Sequence, residues 1–184
     1  MAGNKKPEHM TSLSGSAGRL VKKTHPRIVF RGIIDSLEAE VIETQVVIEE
    51  FEKKAGSLNS RNSQLNRNLE EVLEFLRAIM AAEVKETPLP PPFFFGMNSE
   101  ALQRESHDFF ESKDAPLLPT YKQGRLAARL NLLRTKAREA EIAAVRAFGP
   151  GEEDEREDII LALNRLSSAF WILYCHHCFI KRGL

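Results

Sequence analysis

From Arg27 to Lys54 the apolar positions Phe30, Ile33, Ile34, Leu37, Val41, Val47, Ile48 and Phe51 recur at steps of three and four. That period predicts a helix with one buried face. Pro26 sits just before the run, where a proline is tolerated, and Ala55-Gly56-Ser57 is its natural stop. A second helix is predicted over 60–85, with Leu65, Leu69, Val72, Leu76 and Ile79 as its apolar stripe. The proline cluster from Thr87 to Pro92 ends it and stiffens the connection. Phe93, Phe94 and Phe95 follow directly, an unusual trio for an exposed loop, so they are expected to pack on the body or to cover a ligand.

A short helix capped by Asn98 or Ser99 is predicted to run to about Ser112, and Asp114 to Pro119 forms a proline-bounded linker. The fourth helix is predicted over 121–148, with Leu126, Leu130, Leu133, Ala137 and Ala144 near its inner side. Gly149-Pro150-Gly151 closes it. The acidic run Glu152 to Glu155 is expected to open the fifth helix, complementing the positive end of its dipole, and that helix reaches about Lys181. No strand and no repeat is predicted. The pattern is all-α: an antiparallel five-helix bundle of four long helices and one short, about 40 Å tall by the helix rise. Residues 1–22, rich in Gly, Ser, Asn and Lys, are expected to be a flexible segment preceding a helical domain over 23–184. Met10 could itself start the chain, which would make residues 1–9 a leader.

Composition changes this picture little. With 184 residues, 42% apolar and 28% charged, the chain is ordinary for one globular domain. Lys+Arg and Asp+Glu are both 26, which argues against a general polyanion binder and so against nucleic acid. No apolar run approaches the ~20 residues of a membrane span, and the polar start has no signal-peptide h-region. Two cysteines exclude a disulfide scaffold. A cytoplasmic protein with no membrane partner is expected.

A few residues do not suit a bland bundle. On the fourth helix Arg134, Arg138 and Glu141 fall within a ~60° sector, with Asn131 on the same edge. The sector borders the apolar face. Two guanidiniums and a carboxylate placed there can clamp a triphosphate, or they form an ordinary salt-bridge set on a solvated face. On the fifth helix Asn164, Ser168 and Trp171 share a face, where the asparagine is either a satisfied core amide or a ligand contact. Asp35 on the first helix is either buried against Arg134 or Arg138, or simply exposed. Lys22-Lys23 is either a phosphate-binding ammonium or a solvated pair. Cys175-His176-His177-Cys178 invites a metal reading, but a structural zinc needs ligands from a second element, so a buried Cys175 thiol is favoured. Walker A, Rossmann, Gly-x-Ser-x-Gly and His-Glu-x-x-His signatures are absent.

These residues coincide with a known pattern. Lys23-Thr24-His25-Pro26-Arg27 leading to Gly32-Ile33-Ile34-Asp35, then Leu130 to Glu141, then Leu161 to Ser168 resemble, in order, the motifs of the ATP:corrinoid (cob(I)alamin) adenosyltransferases. The resemblance is closest to the ethanolamine-utilisation type, with the propanediol-utilisation type related, and it spans roughly residues 20–175. It implies a five-helix bundle that transfers the 5′-deoxyadenosyl group of ATP to the Co(I) of a corrinoid and releases polyphosphate. It implies ATP with Mg²⁺ or another divalent cation, cobalamin as substrate, and a homo-oligomer, trimer before dimer, with ATP at subunit interfaces. It further implies a flavin or flavoprotein reductant, an adenosylcobalamin-dependent enzyme as recipient, and a place in the cytoplasm or a bacterial microcompartment. Carried onto this sequence, Lys23, Arg134, Arg138, Glu141 and Asn164 bind ATP. Arg134 and Arg138 are the catalytic pair, and Asp35 pairs with a site arginine across the interface. Glu141 is a candidate metal contact. Phe93, Phe94, Phe95, Phe109 and Phe110 are candidates to face the corrinoid, against ordinary packing.

The family's Thr-Arg-x-Gly-Asp phosphate loop is not found; Ser12 to Arg19 is at best a loose substitute. Ser168 stands where the family often has aspartate. The upstream His and Cys-Cys-x-x-Cys metal motif of ethanolamine-type enzymes would lie before this chain begins, so a metal requirement of that kind is not expected. The competing readings are a non-catalytic corrinoid- or ATP-binding carrier or sensor, and a structural bundle associated with a microcompartment.

Overall fold

The computed structural model describes residues 7–13, 18–55, 60–111 and 118–181. Five α-helices carry the architecture: α1 (Pro26–Ala55), α2 (Ser60–Lys85), α3 (Ser99–Glu111), α4 (Arg125–Phe148) and α5 (Glu157–Lys181). α4 packs most extensively on α5 and α1, α2 closes on α1, and α3 lies against α5. The all-α bundle is as the apolar period predicts. Phe30, Ile34, Leu37, Val41 and Ile48 of α1 are buried with Leu69, Val72, Leu76 and Ile79 of α2 and with Leu126, Leu130, Leu133, Ala137 and Ala144 of α4. Alanines along α4 let α5 approach closely, and Ala162, Leu163, Leu166, Ala169 and Phe170 of α5 fill that seam. α5 is apolar enough over Glu157–Phe179 to resemble a membrane span by length and composition, more so than the sequence suggests, but 61% of that window is buried inside the bundle.

Three departures from the sequence expectation have local causes. Two three-residue strands, β1 (Met10–Ser12) and β2 (Leu20–Lys22), pair antiparallel ahead of α1. Strands that short carry too little alternation to be seen in a sequence. Leu13 at their turn is fully buried, which anchors the hairpin. The fourth helix starts at Arg125, not Tyr121, because Gly124 (φ 90°) separates it from a 3-10 turn over Tyr121–Gln123. That turn has its own capping box on Thr120.

The third departure concerns the acidic run. Glu152 to Glu155 precede α5, which begins at Glu157, so only Glu157 and Asp158 stand in its first turn. The acids meet distant arginines instead. Glu153 pairs with Arg19 at 2.8 Å, and Asp154 accepts from Arg27 at 2.9 Å. Asp158 accepts from the backbone of Leu89 and Ile159 and from Arg156. Partial burial opposes charge on Asp158, but these donors hold its carboxyl below the usual value.

At the start of α1, Arg27 is buried (3% exposed) and makes four side-chain hydrogen bonds. Its Nε donates to Glu83 Oε1 at 2.7 Å, Nη2 to the Glu83 carbonyl, and Nη1 to Glu86 and Asp154. Arg31, one turn on, donates from Nε to the other oxygen of Glu83 at 2.5 Å. This cluster locks the start of α1 to the end of α2.

Candidate anion-binding site

α3, α4 and α5 line a solvent-open cavity of about 320 Å³. Arg134 and Arg138 come from α4; Asn164, Arg165, Ser167, Ser168 and Trp171 from α5; Gln103, Ser106 and His107 from α3. Each helix contributes at helical spacing: 134 and 138 lie one turn apart, as do 164, 168 and 171. The two α4 and α5 groups predicted separately from the sequence therefore meet in one place.

Arg134 is half-buried. Its guanidinium lies 5.4 Å from the centroid of the Trp171 ring, and its Nε donates to Asn131 Oδ1 at 3.2 Å. Burial, and then the charge of Arg138, hold Arg134 below its ordinary pKa. Among the described residues, no carboxylate lies within ion-pair distance of Arg134 or Arg138. Glu141 is occupied elsewhere: Asn164 Nδ2 donates to its Oε1 at 2.8 Å. Arg134, Arg138 and Glu141 thus do not form a salt-bridge set. Two neighbouring cations without a counter-charge form a receptor for an anion with several oxygens.

The other predicted residues fall elsewhere. Lys23 is exposed in the turn between β2 and α1, where its amide donates to His9. Near it a second groove, about 420 Å³, is lined by Thr24, Pro26, Val29 and Ile33 with Glu139, Ile142, Ala143 and Arg146 of α4. Asp35 is exposed on α1 and makes no ion pair with Arg134 or Arg138 within the chain. Phe94 is a fully buried core residue, edge-on to Phe75 at 5.0 Å. Phe93 is exposed (56%), and Phe95 borders a different cavity beside Glu71, Met97 and His176. Phe109 stacks on Phe179 and meets His176 edge-on. The side chain of Phe110 lies outside the described residues, as do Ser14 to Ala17 of the loose loop substitute. None of the described phenylalanines lines the arginine cavity.

Cys175 and Cys178 are buried, and burial pushes the Cys175 thiol up to about 12. A packed, protonated thiol is what the apolar face of α5 requires. Among the described residues no three His, Cys, Asp or Glu side chains group as metal ligands.

Arg165, Gln103, Ser106, His107 and Ser167 are the site residues that sequence reasoning does not assign. Gln103, Ser106 and His107 sit at i, i+3 and i+4 on α3 and read as its solvent side. Ser106 is nevertheless buried against α5, and only the docking of α3 turns that polar face inward.

A family model described as Cobalamin adenosyltransferase matches residues 2–177. The corrinoid adenosyltransferases EutT of Escherichia coli (strain K12) and Salmonella typhimurium are each 36% identical over 172 residues, or 92% of this chain and 58% of theirs. The chain thus spans a little over half the length of these relatives. In structure, it is similar to variants of a PduO-type ATP:corrinoid adenosyltransferase from Lactobacillus reuteri. One, complexed with cobalamin and ATP, has TM-score 0.65 and 19% identity over 95% of this chain and 91% of that one. Another, complexed with ATP, has TM-score 0.65 and 21% identity over 99% and 96%. The bundle is the fold of those proteins, and with the family match extending from the hairpin through α5, this chain belongs to the cobalamin adenosyltransferase family.

Proposed function

We propose that this chain transfers the 5′-deoxyadenosyl group of ATP to the Co(I) of a corrinoid. The observation that carries the reading is the pair Arg134 and Arg138, one turn apart on a cavity between three helices, the first with one amide acceptor and neither with a carboxylate partner among the described residues. Membership of the family, and neighbours solved with ATP, support reading that anion as the triphosphate of ATP.

The chemistry asks little of a protein nucleophile. The electron pair of Co(I) forms the Co–C5′ bond, the C5′–O5′ bond breaks, and the triphosphate leaves with the negative charge. The protein's work is to hold C5′ in line and to stabilise charge growing on the leaving group. Arg134 and Arg138 do the second. Asn164 and Glu141, already hydrogen-bonded to each other, fix the neighbouring part of the nucleotide. A divalent cation bound to the phosphates would supply further charge neutralisation, and Glu141, beside Asn164, is the side chain that would contact it.

Lys23 and Asp35 stand apart from the arginines within one chain. Exposed apolar residues include Val29 of α1 and Ile142 of α4, which line the groove near Lys23, and Val145 of α4 and Leu161 of α5. A second copy covering such residues would bury apolar surface and could supply Lys23 and Asp35 to the arginines from another chain. A homo-oligomer with ATP at the interface, trimer or dimer, fits this arrangement. A flavin or flavoprotein reductant, an adenosylcobalamin-dependent recipient, and a cytoplasmic or microcompartment setting belong to the same proposal.

The test is an anaerobic assay with reduced cobalamin, ATP and Mg²⁺, following loss of Co(I) absorbance. Turnover that Arg138→Ala abolishes in a folded protein is expected. Tight binding of ATP or corrinoid without product would assign the chain as a carrier or sensor instead. Binding of neither would leave a structural bundle.

A further inference from the structure

We propose that Arg165, to which neither the sequence motifs nor the comparisons give a role, is the positioning residue of the cavity. It acts through Asn164 and α3, and the inference rests on the functional reading above. Its guanidinium bridges three groups: Nη1 donates to Asn164 Oδ1 at 2.5 Å, Nε to Ser99 Oγ at 2.8 Å, and Nη2 to Gln103 Oε1 at 3.1 Å. Ser99 and Gln103 lie on α3, one turn apart. The partners face in two directions, and each direction sets part of the site.

The first sets the polarity of Asn164. A guanidinium offers only donors and a carboxylate only acceptors. Asn164 is wedged between Arg165 and Glu141, so its amide has one orientation that satisfies both: Oδ1 toward Arg165 and Nδ2 toward Glu141. The face left for a ligand then presents a donor from Asn164 beside an acceptor from Glu141, a matched pair for a hydroxyl or amine of the nucleotide. Without Arg165 the amide keeps only its bond to Glu141, and Oδ1, left without its donor, no longer holds the side chain in place from the other side.

The second is the mooring of α3. This helix lies between the proline-rich connection and residues 112–117, and it brings Gln103, Ser106 and His107 to the cavity. Arg165 ties its first two turns to α5. A single side chain thus couples the wall of the cavity to the amide at its edge.

The experiment measures ATP affinity by calorimetry, with the apparent KM for ATP and kcat in the adenosylation assay, for the wild type, Arg165→Ala, Arg165→Lys, Asn164→Ala and the double variant Arg165→Ala/Asn164→Ala. Arg165→Ala is expected to weaken ATP binding about tenfold through KM, with kcat changed far less. Arg165→Lys restores only part, because one ammonium cannot span three acceptors held in a plane. In the Asn164→Ala background, removing Arg165 should add less than its full effect, since the two act through one contact. Wild-type affinity in folded Arg165→Ala, or full additivity with Asn164→Ala, overturns the proposal. Should Arg165→Ala not fold, Ser99→Ala/Gln103→Ala cuts the α3 half alone, and wild-type KM in that variant overturns the mooring. A wild-type chain that binds no ATP overturns the functional reading and this one together, whereas wild-type binding with indifferent variants overturns this one only.

Discussion

Arg27 and Arg31 on α1, and Arg134 and Arg138 on α4, are both arginine pairs spaced four residues apart. Their surroundings are opposite. Glu83, fully buried, accepts from Arg27 at one oxygen and from Arg31 at both, and Glu86 and Asp154 complete the set. Arg134 has a tryptophan ring and one amide oxygen, and Arg138 has no hydrogen-bond or ion-pair partner among the described residues. The pKa directions agree. Burial disfavours charge on both Arg27 and Arg134, but Glu83 and its neighbours hold Arg27 above its ordinary value, while Arg138 pushes Arg134 below. Identical spacing thus serves two ends, a structural lock and a receptor. What separates them is whether the fold delivers a carboxylate.

The sharpest way to break this contrast is to remove the carboxylate. Glu83→Ala removes the buried carboxylate that Arg27 and Arg31 share, leaving Arg27 with only Glu86 and Asp154 and Arg31 without its ion pair, and is expected to cost about 3 kcal/mol of stability. Urea unfolding followed by helical circular dichroism checks this. Arg138→Ala, by contrast, is expected to change stability by less than about 0.5 kcal/mol, since it deletes a partly solvated group with no partner. If both substitutions destabilise equally, Arg138 is structural and the receptor reading fails.

The second effect lies in binding. Arg138→Ala should weaken ATP by about 1.5–3 kcal/mol, the usual worth of a hydrogen bond to a charged group. Inorganic triphosphate should separate the two regions without mutation. At a hundredfold excess over its dissociation constant it should stabilise the wild type by about 2.7 kcal/mol, and much less in Arg138→Ala. Thermal unfolding with and without triphosphate, at low and high salt, reads this. Added salt should erode the shift, because the receptor meets solvent.

How far the sequence foretells these regions differs in the same way. Core positions of every helix are legible because each helix buries one face at its own period. The receptor is half legible: Arg134 with Arg138, and Asn164 with Ser168 and Trp171, show as polar residues on the edge of an apolar stripe. Their meeting is legible only from the family motifs, because it depends on how α4 packs on α5. The lock is not legible. Arg27 and Glu83 lie far apart in sequence, and nothing local to either marks burial. The acids at 152–155 mislead for the same reason, since proximity to α5 suggests its dipole while Arg19 and Arg27 hold two of them. Arg165 was in view inside a motif, but its role needs α3, whose docking has no sequence signal.

The smallest effect tests whether a satisfied carboxylate near the surface behaves like the buried one. Asp158 takes two bonds from Arg156 and one each from the amides of Leu89 and Ile159. Its folded pKa lies below the ordinary carboxylate value of 3.8. A depressed acid contributes stability that is fully present above its unfolded pKa and is lost as pH falls through the folded one. Asp158→Asn should therefore cost on the order of 1 kcal/mol at neutral pH and flatten the acid limb of the stability curve below about pH 4. Urea titrations between neutrality and pH 3 measure both. Arg138→Ala should leave that limb as steep as in the wild type, because no carboxylate among the described residues pairs with Arg138. If Arg138→Ala flattens it as Asp158→Asn does, an acid has been paired with the receptor all along, and the two arginine pairs are alike after all.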